Sequence, residues 1–361
     1  SQKIRFQGYP SEEYEVTTED GYILSLNRIP HGREGAGHPA SRTPVLIVHG
    51  FCLDGGVWVD NLPSNSLAFI LADAGYDVWI GNNRGNSWSR RHLNLSIDQE
   101  KFWDFSFHEM AIYDLPAMVG FIITQTEQEK LFYVGHAQGG SLGFIAFSSL
   151  PHLGEKIRLF FALGPAYTLD HVRGPLLKIA FLPDLVLKLK FGTKELSLLS
   201  REERAFLVEK CSKLPVDEVC KKAIFLVGGY NKKNLNESRL DVYLAHFPDY
   251  TSVKTFLHWG QTAKTGEFKQ FDYGLLKNQE KYSQSSPPFY RIEDMTVPVA
   301  LWSGGQDWVN TPKETKLLLR HLTSVIQHEE FPEWNHFDHH WGLDAPQRLY
   351  GQMVSLMDQY S

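Results

Sequence analysis

The segment Gly135-His136-Ala137-Gln138-Gly139 has the spacing G-x-S-x-G, with alanine where that pattern carries serine. In such a turn a strand runs straight into a helix and lifts one side chain above the sheet. Glycines flank that side chain because a Cβ there would clash. A serine so placed attacks an acyl carbon once a histidine takes its proton and a carboxylate fixes that histidine's tautomer. The three groups are expected in the chain order nucleophile, acid, histidine. Asp307, just past the apolar run 299–302 and the turn Ser303-Gly304-Gly305-Gln306, is the candidate acid. His336, in Glu333-Trp334-Asn335-His336 after the run 325–331, is the candidate base. An oxyanion hole needs two backbone N–H donors. One belongs to the residue after the nucleophile position, Gln138, and the other to the loop His49-Gly50-Phe51, where we assign Phe51.

Neighbouring polar residues invite other readings. Asp338, His339 and His340 follow His336 closely, but their spacing fits no zinc motif, so we expect a solvated, pH-sensitive turn and no metal. His49 reads as a structural loop histidine, and Asp54 as a carboxylate able to alter the charge of the pocket.

These groups need a sheet whose strand ends meet on one edge. Residues 14–18 and 22–29 alternate around Glu19-Asp20-Gly21 and predict a β-hairpin. Residues 31–43 read as a loop. The runs 45–48, 76–80, 131–134 and 157–163 suit strands buried on both faces, as in a parallel sheet. Helices are expected over 67–74, over 114–124 with Asp114 and Pro116 as start signals, over 141–150, and over 346–359. Alternating strands and helices give an α/β doubly wound sheet. The alternation stops over 168–288, which reads as an inserted, mainly helical cap. The core is then 1–167 and 289–361, with strands resuming at 297–302 and 325–331. In the cap, Phe181, Leu182, Leu185, Val186, Leu187, Leu189 and Phe191 form an apolar stripe near Lys188, Lys190 and Lys194. It reads equally as a lid face that meets lipid or as packing onto the core.

The formal net charge of −6 is not blocked into runs, which argues against a nucleic-acid partner. The 15 histidines would reverse that balance in an acidic compartment. Of three cysteines, Cys211 and Cys220 are close enough for a small disulfide loop, leaving Cys52 over. Asn94 and Asn236 open N-glycosylation sequons. The chain opens on Ser1 without an apolar leader and reads as a mature or trimmed form lacking its signal peptide. No run of 18 apolar residues is present to span a membrane.

Long segments resemble the acid lipases, the family of the gastric and lysosomal enzymes and several epidermal relatives. They include 14–22, 61–63, 67–79, Asn83-Arg84-Gly85-Asn86, 238–243, 251–253 and Trp341-Gly342-Leu343-Asp344-Ala345-Pro346, so the resemblance covers nearly the whole chain. It implies an α/β-hydrolase fold with a cap and lid. It also implies Asp307 and His336 as triad members, Phe51 and Gln138 as oxyanion donors, and a Cys211–Cys220 pair in the cap. Secretory or lysosomal passage, glycosylation, no cofactor and fatty-acyl ester substrates follow from the same likeness. A transient lipid-droplet or membrane contact is expected, and the oligomeric state is left open. This chain departs from the family at Ala137, in the loop 51–58, and at His339-His340.

Because Asp307, His336 and the glycine turn are all retained, Ala137 reads as a substitution made to block turnover rather than as the mark of a decayed lineage. Its loss should leave only about 10³–10⁴-fold acceleration over water. Two other classes are consistent with the same scaffold: an inert lipid-binding relative, and an acyltransferase that uses a lipid alcohol in place of water.

Overall fold

The computed structural model describes residues 1–35 and 41–361. Of the expected loop 31–43, residues 36–40 lie outside the described residues. Strands β1 (Glu12–Thr17) and β2 (Tyr22–Ile29) pair antiparallel, with Thr17 opposite Ile23. Gly21 turns the chain at φ +95°, a left-handed conformation that a side chain would strain. Next come β3 (Pro44–Val48), β4 (Asp77–Gly81), the two-residue β5 (Arg91–His92), β6 (Leu131–His136) and β7 (Ile157–Leu163). A small separate sheet joins β8 (Glu195–Leu196) to β9 (Thr251–Ser252), and β10 (Val299–Gly304) and β11 (Val325–Phe331) complete the set. The main sheet runs β1-β2-β4-β3-β6-β7-β10-β11, with β5 against β2. From β4 to β11 every pairing is parallel.

Alternate side chains of β3 divide the core. Val45 and Ile47 join Val78, Ile80, Phe132 and Val134 on one face, under the helices Leu67–Asp73 and Gly351–Tyr360. Leu46 and Val48 join Trp79, Leu131 and Tyr133 on the other, under Leu115–Thr126 and Gln138–Ser149. Helices on both faces explain why these strands read as unbroken apolar runs. The strands resume at β10 and β11 close to the expected positions.

Two helices begin earlier than the sequence suggests. The helix expected at 141 starts at Gln138, because the small residues of the turn let it leave β6 at once. Asp114 is not a helix start. The helical stretch opens at Phe107, where Ser106 Oγ accepts the His108 N–H at 3.2 Å, and Asp114 closes a π turn, Met110–Asp114. Pro116 has no N–H to give one turn back, and the widened turn sits just ahead of it. The Asp114 carboxylate instead takes Arg84 Nε at 2.8 Å and Arg84 N at 3.0 Å. The same guanidinium reaches both oxygens of Asp20, at 2.6 and 2.8 Å.

Between β7 and β10 lie the helices Asp184–Phe191, Arg201–Cys211, Val216–Gly228, Val253–Thr265 and Leu275–Tyr282. A Cys211–Cys220 disulfide ties the second of these to the third. Cys52 is free and buried. Asn94 is exposed, and Asn236 is half-buried with its Oδ1 accepting the Ser238 N–H at 3.1 Å. Among the described residues no helix is long and apolar enough to cross a membrane.

Arg84 and Asp114 are both buried, so removing one charge strands the other. Arg84→Leu is expected to lower the unfolding free energy by about 3–5 kcal/mol, read from urea denaturation. An unchanged urea midpoint would show that the Arg84 cluster does not anchor this part of the fold.

Candidate active site

The turn at Ala137 is built by what its neighbours lack. Ala137 has φ +52° and ψ −116°, a conformation rare for a residue with a Cβ. A Cβ on Gly135 would lie 2.3 Å from Gly139 O, and one on Gly139 would lie 2.5 Å from Val48 O. Both glycines are therefore required for the helix to leave β6 against the end of β3. The bend is held by Ala137 N–H to Leu163 O at 3.0 Å and by Ala166 N–H to Ala137 O at 3.1 Å.

Parallel strands deliver the other candidates to the same edge. Asp307 follows β10 and His336 follows β11, and His336 Nδ1 stands 3.1 Å from Asp307 Oδ2. The other Asp307 oxygen accepts Val309 N–H at 2.9 Å and Asn310 N–H at 2.8 Å, which fixes the carboxylate. With its Nδ1 proton directed at Asp307, His336 keeps the Nε2 lone pair for a proton. His136, which precedes Ala137, approaches the His336 carbonyl with Nε2 at 2.9 Å. His339 approaches the same oxygen with Nδ1 at 3.3 Å. A carbonyl only accepts, so His136 carries its proton on Nε2 and His339 on Nδ1.

Gly50 packs against the turn: a Cβ there would meet Ala137 Cβ at 3.2 Å. This brings the Phe51 loop beside Ala137. Neither Phe51 N–H nor Gln138 N–H donates to a protein acceptor among the described residues. The Gln138 side chain is pinned, with its Oε1 accepting Trp259 Nε1–H at 2.8 Å. His49 Nδ1 donates to Gly50 O at 2.8 Å, and its Nε2 accepts Asn83 N–H at 3.1 Å. Ala137, Asp307 and His336 are all buried. The arrangement can take a proton at His336 and accept two hydrogen bonds' worth of negative charge at Phe51 and Gln138. At position 137 it presents a methyl group.

Two expectations need correction. Asp338, His339 and His340 do not form a solvated turn; all three are buried, on the short helix Asp338–Trp341. Aromatic side chains cover them: His339 lies 5.3 Å from Trp334, and His340 lies 4.7 Å from Trp341 and 6.1 Å from Trp58, between ring centroids. Asp54 does not charge the pocket, because its carboxylate is buried and accepts Gly56 N–H and Trp88 Nε1–H, both at 2.9 Å. Sequence reading also missed Asn310, whose Nδ2 holds Gly164 O at 2.6 Å beneath Asp307, and the roles of His136 and Trp259. Of the three, only His136 carried a local signal, as the polar residue that ends an apolar strand just ahead of Ala137.

The imidazoles form a packed group. His136 lies 4.7 Å from His336, 5.6 Å from His339 and 4.7 Å from His340, between centroids. Burial pushes His339 down to about 4, and His136 and His340 well below the usual histidine value. Mutual repulsion between the rings adds to this for all three. The unfolded chain takes these protons near about pH 6.5 and the folded chain resists them, so this stability is complete above that pH and is lost as pH falls below it. His340→Phe keeps an aromatic ring in the site and removes one such group. The drop in Tm between about pH 7.5 and about pH 5 is expected to shrink in that variant. An equal drop would show that His340 does not contribute to acid lability.

The profile of the alpha/beta hydrolase fold matches residues 43–343, and that of the partial alpha/beta-hydrolase lipase region matches residues 1–62. The chain is 51% identical to mouse lipase member M over 99% of its own length and 85% of the relative. It is 48% identical to human lysosomal acid lipase/cholesteryl ester hydrolase, over 100% of this chain and 90% of that one. Identity to human gastric triacylglycerol lipase is 47%, over 99% and 90%. Among solved structures, a soluble variant of yeast (Saccharomyces cerevisiae) monoglyceride lipase superposes with a TM-score of 0.56 at 15% identity, covering 98% of this chain and 94% of that one. A thermophilic esterase from Thermogutta terrifontis gives 0.54 at 15%, over 97% and 99%. At those identities the structures speak for the fold alone, whereas the sequence relatives span nearly the whole chain. The chain belongs to the acid lipase family of α/β-hydrolases.

Proposed function

We propose that this chain is the scaffold of a serine ester hydrolase for fatty-acyl esters, interrupted at Ala137 alone. The observation that carries this reading is the retained pair His336 Nδ1–Asp307 Oδ2 at 3.1 Å, facing an elbow still held at φ +52°. An elbow freed of its function would be expected to relax, since such a conformation costs about 1–3 kcal/mol. With serine at 137, the hydroxyl oxygen attacks the ester carbonyl while His336 Nε2 takes the proton. The tetrahedral oxyanion is received by Phe51 and Gln138 N–H. The alcohol leaves with that proton, and water then releases the fatty acid by the same path. We read Ala137 as a substitution made to block turnover.

The names of the lysosomal and gastric relatives support cholesteryl-ester or triacylglycerol-type substrates. The helix Asp184–Phe191 supports a lid. Leu187 is buried with Cys52, Leu196, Val253 and Leu257, while Leu185 and Leu189 on the outer side are 68% and 80% exposed. That outer face would meet a lipid droplet or membrane surface as the covered site opens. The Cys211–Cys220 disulfide and the accessible Asn94 support passage through the secretory pathway to the lysosome or the exterior, with glycosylation at Asn94 and Asn236. Ala137 itself favours a second reading, a protein that binds lipid esters without turnover.

Ala137→Ser, assayed on a short soluble ester and an emulsified long-chain ester at about pH 5 and about pH 7, separates these readings. Hydrolysis is expected to appear, and Asp307→Asn in the restored chain to reduce it about 10⁴-fold. A folded variant inert on both esters but still binding the long-chain one would favour the binding protein. New esters formed from added alcohol in preference to free acid would mark a transferase.

A further inference from the structure

Three chain segments meet behind the Phe51 turn. Cys52, next to Phe51, has φ +55°, a left-handed bend that a non-glycine residue holds only when its surroundings impose it. The segment 244–250, from the helical insertion, imposes part of it: Asp249 N–H donates to Cys52 O at 2.7 Å. The Asp249 carboxylate accepts Ser87 N–H at 3.1 Å and the Ser87 hydroxyl, which ties in the loop 83–89. Asp54, two residues past Cys52, accepts Trp88 Nε1–H from that loop and stands 3.2 Å from His246 Nδ1.

We propose that His246 is a positioning residue for the oxyanion turn: its imidazolium, paired with Asp54, clamps the bend at Cys52 and so aims the Phe51 N–H at the acyl oxygen. The proposal rests on the acyl-transfer reading given above. Charge bookkeeping around the pair singles out His246. Lys3 is engaged with Asp60 at 2.7 Å. His49, kept neutral by burial, accepts from Asn83. Burial, with Asp54 adding to it, pushes Asp249 up to about 6, and burial also raises Asp60, so among these carboxylates Asp54 is the one that holds its charge near pH 6. Without the His246 charge, Asp54 retains only neutral donors beside them, and the segment 244–250 loses its ionic hold on the turn.

The pH sense follows. Burial alone would lower the His246 value, but the Asp54 carboxylate outweighs it and raises it above the usual histidine value, with Asp60 adding to Asp54 and Lys3 opposing. Burial raises Asp54, yet His246 and Trp88 hold it low, at about 2. The clamp is therefore closed below about pH 6.5 and opens as pH rises through the raised His246 value. His246 is only partly covered, so its proton exchanges with solvent while Asp54 stays buried.

The test compares Ala137→Ser with Ala137→Ser/His246→Gln. Glutamine keeps a donor for Asp54 and removes the charge. The added change is expected to lower kcat about tenfold near pH 6 while leaving KM within about twofold, because the affected donor acts on the transition state. It should also abolish the alkaline limb of the pH profile that His246 sets. A residue that merely supports folding would shift stability and leave that limb in place. Unchanged kcat together with an unchanged limb would overturn the proposal. If Ala137→Ser is folded and inert, the hydrolase reading fails separately, and the clamp is read without activity. Amide hydrogen exchange over 51–53 near pH 6 should then be faster in His246→Gln than in the parent chain. Equal exchange overturns the clamp.

Discussion

One backbone conformation organises this molecule: residue 137 at φ +52° between β6 and the helix Gln138–Ser149. It exists because Gly135 and Gly139 let the helix N-terminus touch the end of β3. That contact sets where the Gln138 N–H points and how closely Gly50 can approach. The hydrogen bonds from Ala137 N–H to Leu163 and from Ala166 N–H to Ala137 stitch the bend to the end of β7. Around it the parallel sheet brings the ends of β10 and β11 to the same edge, where ligand sites of open α/β sheets form. An elbow strained by about 1–3 kcal/mol persists only while these surroundings over-determine it.

A second constraint is how buried charge is handled near this edge. Arg84 is neutralised by Asp114 and Asp20, and Asp54 by His246, each through short contacts. The imidazoles of His136, His339 and His340 are treated in the opposite way. They are packed among rings, with His136 and His339 each donating a hydrogen bond to the His336 carbonyl. Acid works against this group, whereas alkali works against the His246–Asp54 pair. The two groups thus respond to pH in opposite senses.

The parts legible in the sequence are those whose signal is local. β7 and β11 are found at their expected bounds: β7 is a largely apolar run that stops at Gly164, and β11 stops at Pro332. The elbow could be read because two glycines and a preceding apolar strand lie within a few positions. Asp307 and His336 could be placed because each follows a strand by a short turn. Tertiary burial was not legible. Asp338-His339-His340 reads as polar and solvated until Trp58, Trp334 and Trp341 are seen around it. Asp114 has the composition of a helix start but is turned inward by Arg84, thirty residues earlier in the chain. The Asp54–His246 contact joins positions 192 residues apart, beyond the reach of any pattern.

The proposed acyl-transfer site comprises the elbow, Asp307, His336 and the Phe51 and Gln138 N–H donors, and lacks only a nucleophilic oxygen at residue 137. A long-chain alkyl fluorophosphonate tests this without turnover, since it is captured only by a serine that is already activated. Intact-mass and peptide mapping of the Ala137→Ser chain should show one adduct, on the peptide containing residue 137, and the parent chain should show none. A folded Ala137→Ser chain that takes up no adduct, or a parent chain labelled equally at another residue, would contradict the account.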